Sequence, residues 1–273
     1  MDGDLVEVER AGHVLVMTLN RPKVNAIDRA LSRAIYAAAR QLQDDPELRV
    51  GLITAKGERV FSAGWDFREA MQRAAAGSNP LDEDVEFTHG PGGFAGLTQF
   101  WDLTKPIVAA VNGAAVGGGF ELALATDVIV MAENAYFELP EMQRGFLPDA
   151  GGVQRLPRRI PYNVAMEMIL TGRRMPAAEA LRWGLVHKVV PVHALQAEAR
   201  AVAEAIARGA PLALQALKEV MRAIDGMPIQ AAMTATRPGQ ANLPIYRRMA
   251  ASEDALEGPR AFLEKRPPIW RGR

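Results

Sequence analysis

Two glutamates 20 residues apart, Glu121 and Glu141, sit in contexts that suit proton transfer. Glu121 closes Gly117-Gly118-Gly119-Phe120-Glu121, a glycine run that opens an apolar helical stretch. Glu141 closes Phe137-Glu138-Leu139-Pro140-Glu141, just past a short strand-like segment. Moving water onto or off a conjugated acyl group needs one group for the hydroxyl and another for the α-proton. It also needs backbone donors for the oxygen that becomes an enolate. The glycine run offers such donors, because the first amides of a helix lack intrahelical acceptors and no side chain shields them. Phe61-Ser62-Ala63-Gly64-Trp65-Asp66 is a second glycine context whose amide can approach the same oxygen. Taken singly, each feature has a plainer reading. A glycine run makes a tight strand-to-helix turn, an acid in a first helical turn is favoured by the dipole, and Glu141 after a proline suits a solvated loop.

Alternating strands and helices must position these groups. Val14 to Leu19, Val50 to Thr54, Ile107 to Val111 and Val128 to Met131 read as buried strands. Asp28 is a suitable N-cap for a helix running to about Gln43. The pattern predicts an α/β layered architecture. Residues 76–93, rich in glycine and proline, read as a long flexible loop of the kind that serves as a lid or is disordered. After Val190 the pattern becomes helical, and Glu253 to Arg273 reads as a helix and an arm that dock elsewhere.

Composition narrows the function class. Lys plus Arg and Asp plus Glu each number 32 in 273 residues, so no strongly basic surface for nucleic acid is indicated. There is no cysteine, which excludes disulfides, thiolate metal sites and cysteine nucleophiles. The acidic start Met1-Asp2-Gly3-Asp4 lacks the order of a secretory signal, and no run of 18 apolar residues exists to span a membrane. A cytoplasmic, globular protein is expected.

Other constellations do not form sites. His13, His89, His187 and His193 lack metal-ligand spacing and read as surface or packing residues, so no metal is expected. Ser62 has no evident histidine partner, Arg155, Arg158 and Arg159 read as solvated, and Met166, Ile169 and Leu170 as core.

Together these motifs resemble the crotonase superfamily, the enoyl-CoA hydratase/isomerase family. The likeness runs from Arg21-Pro22-Lys23-Val24-Asn25-Ala26 to Phe262-Leu263-Glu264-Lys265-Arg266. It passes through Phe61 to Asp66, Lys105 to Gly113, Gly117 to Glu121 and Gly151 to Pro157. The resemblance implies a crotonase-like spiral of ββα turns over residues 1–195 that carries the site. It also implies a helical C-terminal region over residues 196–273 for trimerisation and site closure, with trimers often paired into hexamers. It implies an acyl-CoA substrate and no separate cofactor, since coenzyme A enters with the thioester. The carbonyl oxygen would meet the amides of Trp65 and Gly118. Lys23, Ala26, Ala63 and Asp66 would line the CoA, and Phe262 and Lys265 from the C-terminal region would close over it. Hydratases of the family use both carboxylates, and Glu121 and Glu141 are both present.

Trp65 after the glycine, and Asp149 in Leu147-Pro148-Asp149-Ala150, depart from an ordinary fatty enoyl-CoA hydratase. They resemble one subfamily, the carnitinyl-CoA dehydratases (crotonobetainyl-CoA hydratases), as do Gly90 to Leu97, Thr171 to Met175 and Leu181 to Gly184. Residues 142–146 are bulkier than that subfamily suggests, and residues 229–250 match it poorly. A trimethylammonium acyl group would need a partner, for which Trp65 or Trp101 offers a cation–π face; the plainer reading has Trp65 packing on the lid or pantetheine and Trp101 in the core. A general hydratase, an isomerase in which Asp149 joins Glu141, a nucleic-acid-binding member of the fold and an idle structural homologue stand as alternatives.

Overall fold

The computed structural model describes residues 4–237 and 242–273, apart from the side chains of Glu86 and Phe87. Met1, Asp2 and Gly3 of the acidic start, and part of the stretch 229–250, lie outside the described residues.

The apolar runs become a six-stranded sheet, in the order β1 (Val6–Ala11), β2 (Val14–Leu19), β3 (Val50–Ala55), β5 (Ile107–Val111), β7 (Val128–Ala132) and β10 (Lys188–Val190). Only β1 runs antiparallel to its neighbour. Every residue of β3 and β5 is buried, as expected of parallel strands covered on both faces. A helix over Leu195–Ala207 packs across β3 and β5. Helix α1 (Arg29–Asp44) starts where the Asp28 side chain accepts from the Leu31 amide at 2.7 Å.

A second, four-stranded sheet is built from β4 (Val60–Ser62), β6 (Ala114–Val116), β8 (Tyr136–Glu138) and β9 (Met175–Pro176). These strands are too short for a periodicity to reveal. Each of three successive turns of chain gives one strand to the large sheet, then one to the small: β3 then β4, β5 then β6, β7 then β8. Helices α2 (Phe67–Ala75) and α4 (Gly118–Leu124) follow the first two pairs, and α5 (Gly152–Arg159) comes after the third. This is a spiral of ββα turns.

The long loop expected over 76–93 carries a helix, α3 (Val85–His89), and Phe94–Gly96 adds a 3-10 turn. Both pack on α1, so the segment has a buried anchor rather than a free course. After β10 the described chain is helical, over Leu195–Ala207, Pro211–Ala223, Ile229–Ala232, Pro244–Ala250 and Asp254–Leu263. Within this chain the arm folds back, with the Arg271 and Gly272 amides donating to Asp254, each at 2.8 Å. It also reaches the turn after the Leu195–Ala207 helix, where Trp270 Nε1 donates to the Arg208 carbonyl at 2.8 Å. Arg155 and Arg159 are not solvated, for their guanidinium groups donate to the Thr98 and Thr126 carbonyls at 2.6 Å. Leu170 is exposed, while Met168, one residue round the helix from Ile169, takes its place in the core.

Candidate active site

The small sheet explains how distant motifs meet. Strands β4, β6 and β8 are parallel, with Ser62 beside Ala115 and Ala115 beside Phe137. Their following loops therefore emerge at one edge: Ala63-Gly64-Trp65 after β4, Gly117-Gly118 after β6, and Leu139-Pro140-Glu141 after β8. The Gly117 amide donates to the Glu138 carbonyl at 2.8 Å, and Phe120 stacks on Phe137 with ring centroids 4.1 Å apart. These contacts lock the start of α4 against the end of β8, so Glu121 and Glu141 come to face one cavity.

The amides of Trp65 and Gly118 sit beside that cavity, and neither has an acceptor among the described residues. Ile27 accounts for the first. Its amide takes the Gly64 carbonyl at 2.7 Å and its carbonyl takes the Asp66 amide at 2.9 Å. A parallel bridge of this kind bonds to both neighbours of Trp65 and turns the Trp65 N–H to the other side. Gly118 is the first residue of α4, where no intrahelical acceptor exists. Gly64 lets the two loops touch: it has φ +80°, and a Cβ there would lie 2.9 Å from the Gly118 nitrogen and 2.5 Å from the Val116 carbonyl. Gly118 is equally constrained, because a Cβ would meet the Phe94 ring at 2.3 Å.

Both carboxyl groups are buried, Glu121 at 3% and Glu141 at 4% exposure. Burial pushes Glu121 up to about 8; the Gly152 amide, donating to Oε1 at 2.9 Å, pulls the other way, and the charges of Glu141 and Asp149 add to the rise. Burial likewise pushes Glu141 up to about 7, against its own amide and the nearby Arg144 charge. Glu141 Oε2 is buried without a hydrogen-bond partner. A carboxylate oxygen kept dry and unpaired beside a cavity is positioned to take a proton from something placed there.

The cavity, about 190 Å³, is well under the roughly 300–1,000 Å³ of a drug-sized site and suits a short acyl group. Trp65 and Phe146 line it, with centroids 5.6 Å apart and edge to face, and Phe67 buttresses both at 5.5 and 6.0 Å. His89 also lines it, which the sequence reading of a surface or packing residue missed. Burial holds His89 down to about 4, and its Nδ1 meets Ser32 Oγ at 2.9 Å. The Ser32 hydroxyl donates to the Asp28 carbonyl at 2.9 Å, so Ser32 accepts from an Nδ1–H. No periodic or spacing signal marks His89; only its fold onto α1 brings it to the wall.

The sequence-predicted residues divide accordingly. Glu121, Glu141, Trp65, Gly118 and Asp149 meet at the cavity. Trp101 does not line it and is not core either: it is 66% exposed, with the Arg155 guanidinium 6.0 Å from its ring. Lys23, Ala26, Ala63 and Asp66 gather at the neighbouring edge. There the Ala63 amide donates to Val24 at 2.9 Å, and Arg21 bridges the Ala26 carbonyl at 2.8 Å and the Asp66 carboxylate at 2.6 Å. Phe262 and Lys265 are exposed and lie away from this chain's own cavity.

Comparison with known proteins identifies the family. The enoyl-CoA hydratase/isomerase family model matches residues 9–273. The chain is 53% identical, over 268 residues and 98% of each chain, to carnitinyl-CoA dehydratases of Salmonella typhi and Salmonella typhimurium. Among solved structures it resembles an enoyl-CoA hydratase from Mycobacterium tuberculosis H37Rv (TM-score 0.85, 37% identity, covering 99% of this chain and 100% of that one). It also resembles one from Bacillus anthracis (TM-score 0.84, 35% identity, covering 98% and 100%). The chain belongs to the enoyl-CoA hydratase/isomerase family.

Proposed function

We propose that the chain is a hydro-lyase that reversibly removes water from a β-hydroxyacyl-CoA, with carnitinyl-CoA and crotonobetainyl-CoA as its pair. The observation that carries this reading is a dry carboxylate pair facing one cavity beside two unused amides. In dehydration the thioester oxygen sits on the Trp65 and Gly118 amides. Glu141 takes the α-proton, and the electron pair moves onto that oxygen as an enolate. The enolate then re-forms the carbonyl and expels the β-hydroxyl, which Glu121 protonates as it leaves as water. Burial raises both carboxyls, Glu121 to about 8 and Glu141 to about 7, so the pair keeps a proton near neutral pH, and dehydration uses the form that has it on Glu121. Hydration runs the same steps backwards.

Coenzyme A comes and goes with the substrate, along Lys23, Ala26, Ala63 and Asp66. Phe262 and Lys265 would serve a neighbouring protomer's site in a homotrimer or a hexamer of paired trimers. No redox or metal chemistry enters, and the cytoplasm is the expected compartment. A second reading, isomerisation by Glu141 with Asp149, is favoured by one observation: Asp149 lines the same cavity. The test follows loss of the conjugated thioester absorbance for crotonobetainyl-CoA and crotonyl-CoA in parallel. Preference for the charged substrate is expected. Preference for crotonyl-CoA keeps the hydratase and removes the carnitine assignment, and silence on both sinks the hydratase reading.

A further inference from the structure

The cavity wall is unusual in its charge. Four carboxyl groups line it, those of Glu83, Glu121, Glu141 and Asp149, against one cation, Arg73. Arg73 is already tied to Glu83 in an ion pair. His89, the other basic side chain there, is neutral. Asp149 makes no ion pair or side-chain hydrogen bond among the described residues, and it is exposed. Its charge is felt at both catalytic candidates. Glu141, whose Oε2 is buried and unpartnered, lines the same space. Three rings, those of Trp65, Phe94 and Phe146, contribute to the wall beside the aliphatic Leu81, Val85 and Leu147. Rings and unpaired carboxylates on a cavity with no free cation match a compact, positively charged guest that offers no hydrogen bonds.

Geometry restricts where such a charge can stand. In a β-hydroxyacyl thioester with an onium group on the γ-carbon, the nitrogen lies two bonds from the carbon that loses its hydroxyl. Whatever meets the onium must therefore face the same stretch of cavity as the group that handles the hydroxyl. Asp149 does so, since its charge acts on Glu121 as well as on Glu141. A fixed cation at this point also offsets the mutual repulsion of the acidic wall, which a neutral acyl group of the same shape leaves in place.

Resting on the hydro-lyase reading, we propose that Asp149 is the specificity-determining counter-ion of this site, selecting acyl groups with a fixed positive charge on the γ-carbon, while the Trp65 and Phe146 rings form the apolar walls around it. Asp149 has no proton to move in this role. That separates it from the isomerase role, where the same carboxyl would act on the reacting carbons.

The experiment compares crotonobetainyl-CoA with its uncharged carbon isostere, 5,5-dimethylhex-2-enoyl-CoA, in the wild type and in Asp149→Asn. The asparagine keeps shape, and the Gln154 hydrogen bond at this position goes to the Asp149 backbone carbonyl, so the loop is undisturbed. The wild type should prefer the charged substrate. Asp149→Asn should lower kcat/KM for it at least tenfold more than for the isostere, with the difference in KM and shrinking at high salt. Equal losses on both substrates, or a difference lying wholly in kcat, overturn the proposal and point to a catalytic or structural carboxylate. A wild type that hydrates the isostere as well as the cation overturns it and leaves the hydro-lyase standing. Turnover of neither removes both. Trp65→Leu supplies a second reading: the walls should matter to both substrates, so it should weaken both without reversing the preference.

Discussion

Lys218, Arg222, Arg155 and Arg159 pack around the C-terminal end of α4, and each of these cations is matched. Lys218 donates to Asp127 at 2.9 Å and to the Lys105 carbonyl at 3.1 Å. Arg222 reaches the Leu103 carbonyl at 2.7 Å and that of Trp101, while Arg155 and Arg159 cap Thr98 and Thr126. The N-terminal end of the same helix treats polar groups in the opposite way. There the Gly118 and Trp65 amides lack acceptors, Glu141 Oε2 is buried without a partner, and Asp149 has no counter-ion among the described residues. Both ends depart from the rule that ionisable groups stay wet, but only one leaves its hydrogen-bonding capacity unspent. Saturated charge fastens helices together, whereas unsaturated polar groups around a cavity are held ready for a guest.

The largest expected effect breaks the open end. Glu141→Gln and Glu121→Gln should each lower kcat for dehydration by about 10²–10⁴-fold, the range for general acid–base groups. The double variant should lose far less than the product of the two, because the residues act as a unit. Steady-state kinetics on protein shown folded by circular dichroism decide it, and a loss under tenfold in either single variant would remove that residue from the reaction.

Proton count sharpens the comparison next. Dehydration needs Glu141 ionised and Glu121 protonated, and hydration needs the reverse, so either direction needs one proton on the pair. The rate should follow a bell with limbs near 7 and near 8 in both directions, falling about tenfold per pH unit beyond each limb. The two values belong to the pair rather than to one residue each. A profile flat from pH 6 to 9 would show that the buried carboxyls do not carry the protons.

Much of the large sheet was readable, and the way the site assembles was not. β2 and β5 stand at the bounds their apolar runs predicted, and β3 and β7 extend one residue further. Asp28 caps α1 as its side chain suggested. The strands that gather the site, β4, β6 and β8, have three residues each, too few for alternation to register. Their parallel pairing is long-range and leaves no local mark in sequence. Motif identity therefore picked out Glu121, Glu141, Trp65, Gly118 and Asp149 before any physical argument could place them together. It failed where position depends on packing alone. Trp101 looked like a candidate ring and lies outside the cavity, while His89 and Phe146 line it. Residues 85–89 looked like loop because their neighbours are glycine, proline and acid, yet contacts with α1 hold them helical.

The smallest effects are in stability, and here the two ends of α4 should move in opposite directions. Glu121 titrates higher in the folded chain, about 8, than its ordinary 4.5, so between those values the unfolded chain ionises while the folded one stays neutral. The resulting penalty grows as pH rises from about 4.5 to about 8 and is level above. Glu121→Gln keeps an acceptor for the Gly152 amide and removes that penalty. Its melting temperature should exceed the wild type's by a margin that widens from pH 5 to pH 8 and then holds. Lys218→Met instead strips Asp127 of its cation and should cost about 1–3 kcal/mol, toward the lower figure because the Asp127 side chain is 34% exposed. For a chain of this size each kcal/mol is about 2–4 °C of melting temperature. Activity per folded molecule should survive in Lys218→Met and fail in Glu121→Gln. Calorimetry at pH 5 and pH 8, read beside turnover, separates the two, and a Glu121→Gln protein less stable than wild type at pH 8 would mean that the buried acid is there to hold the fold.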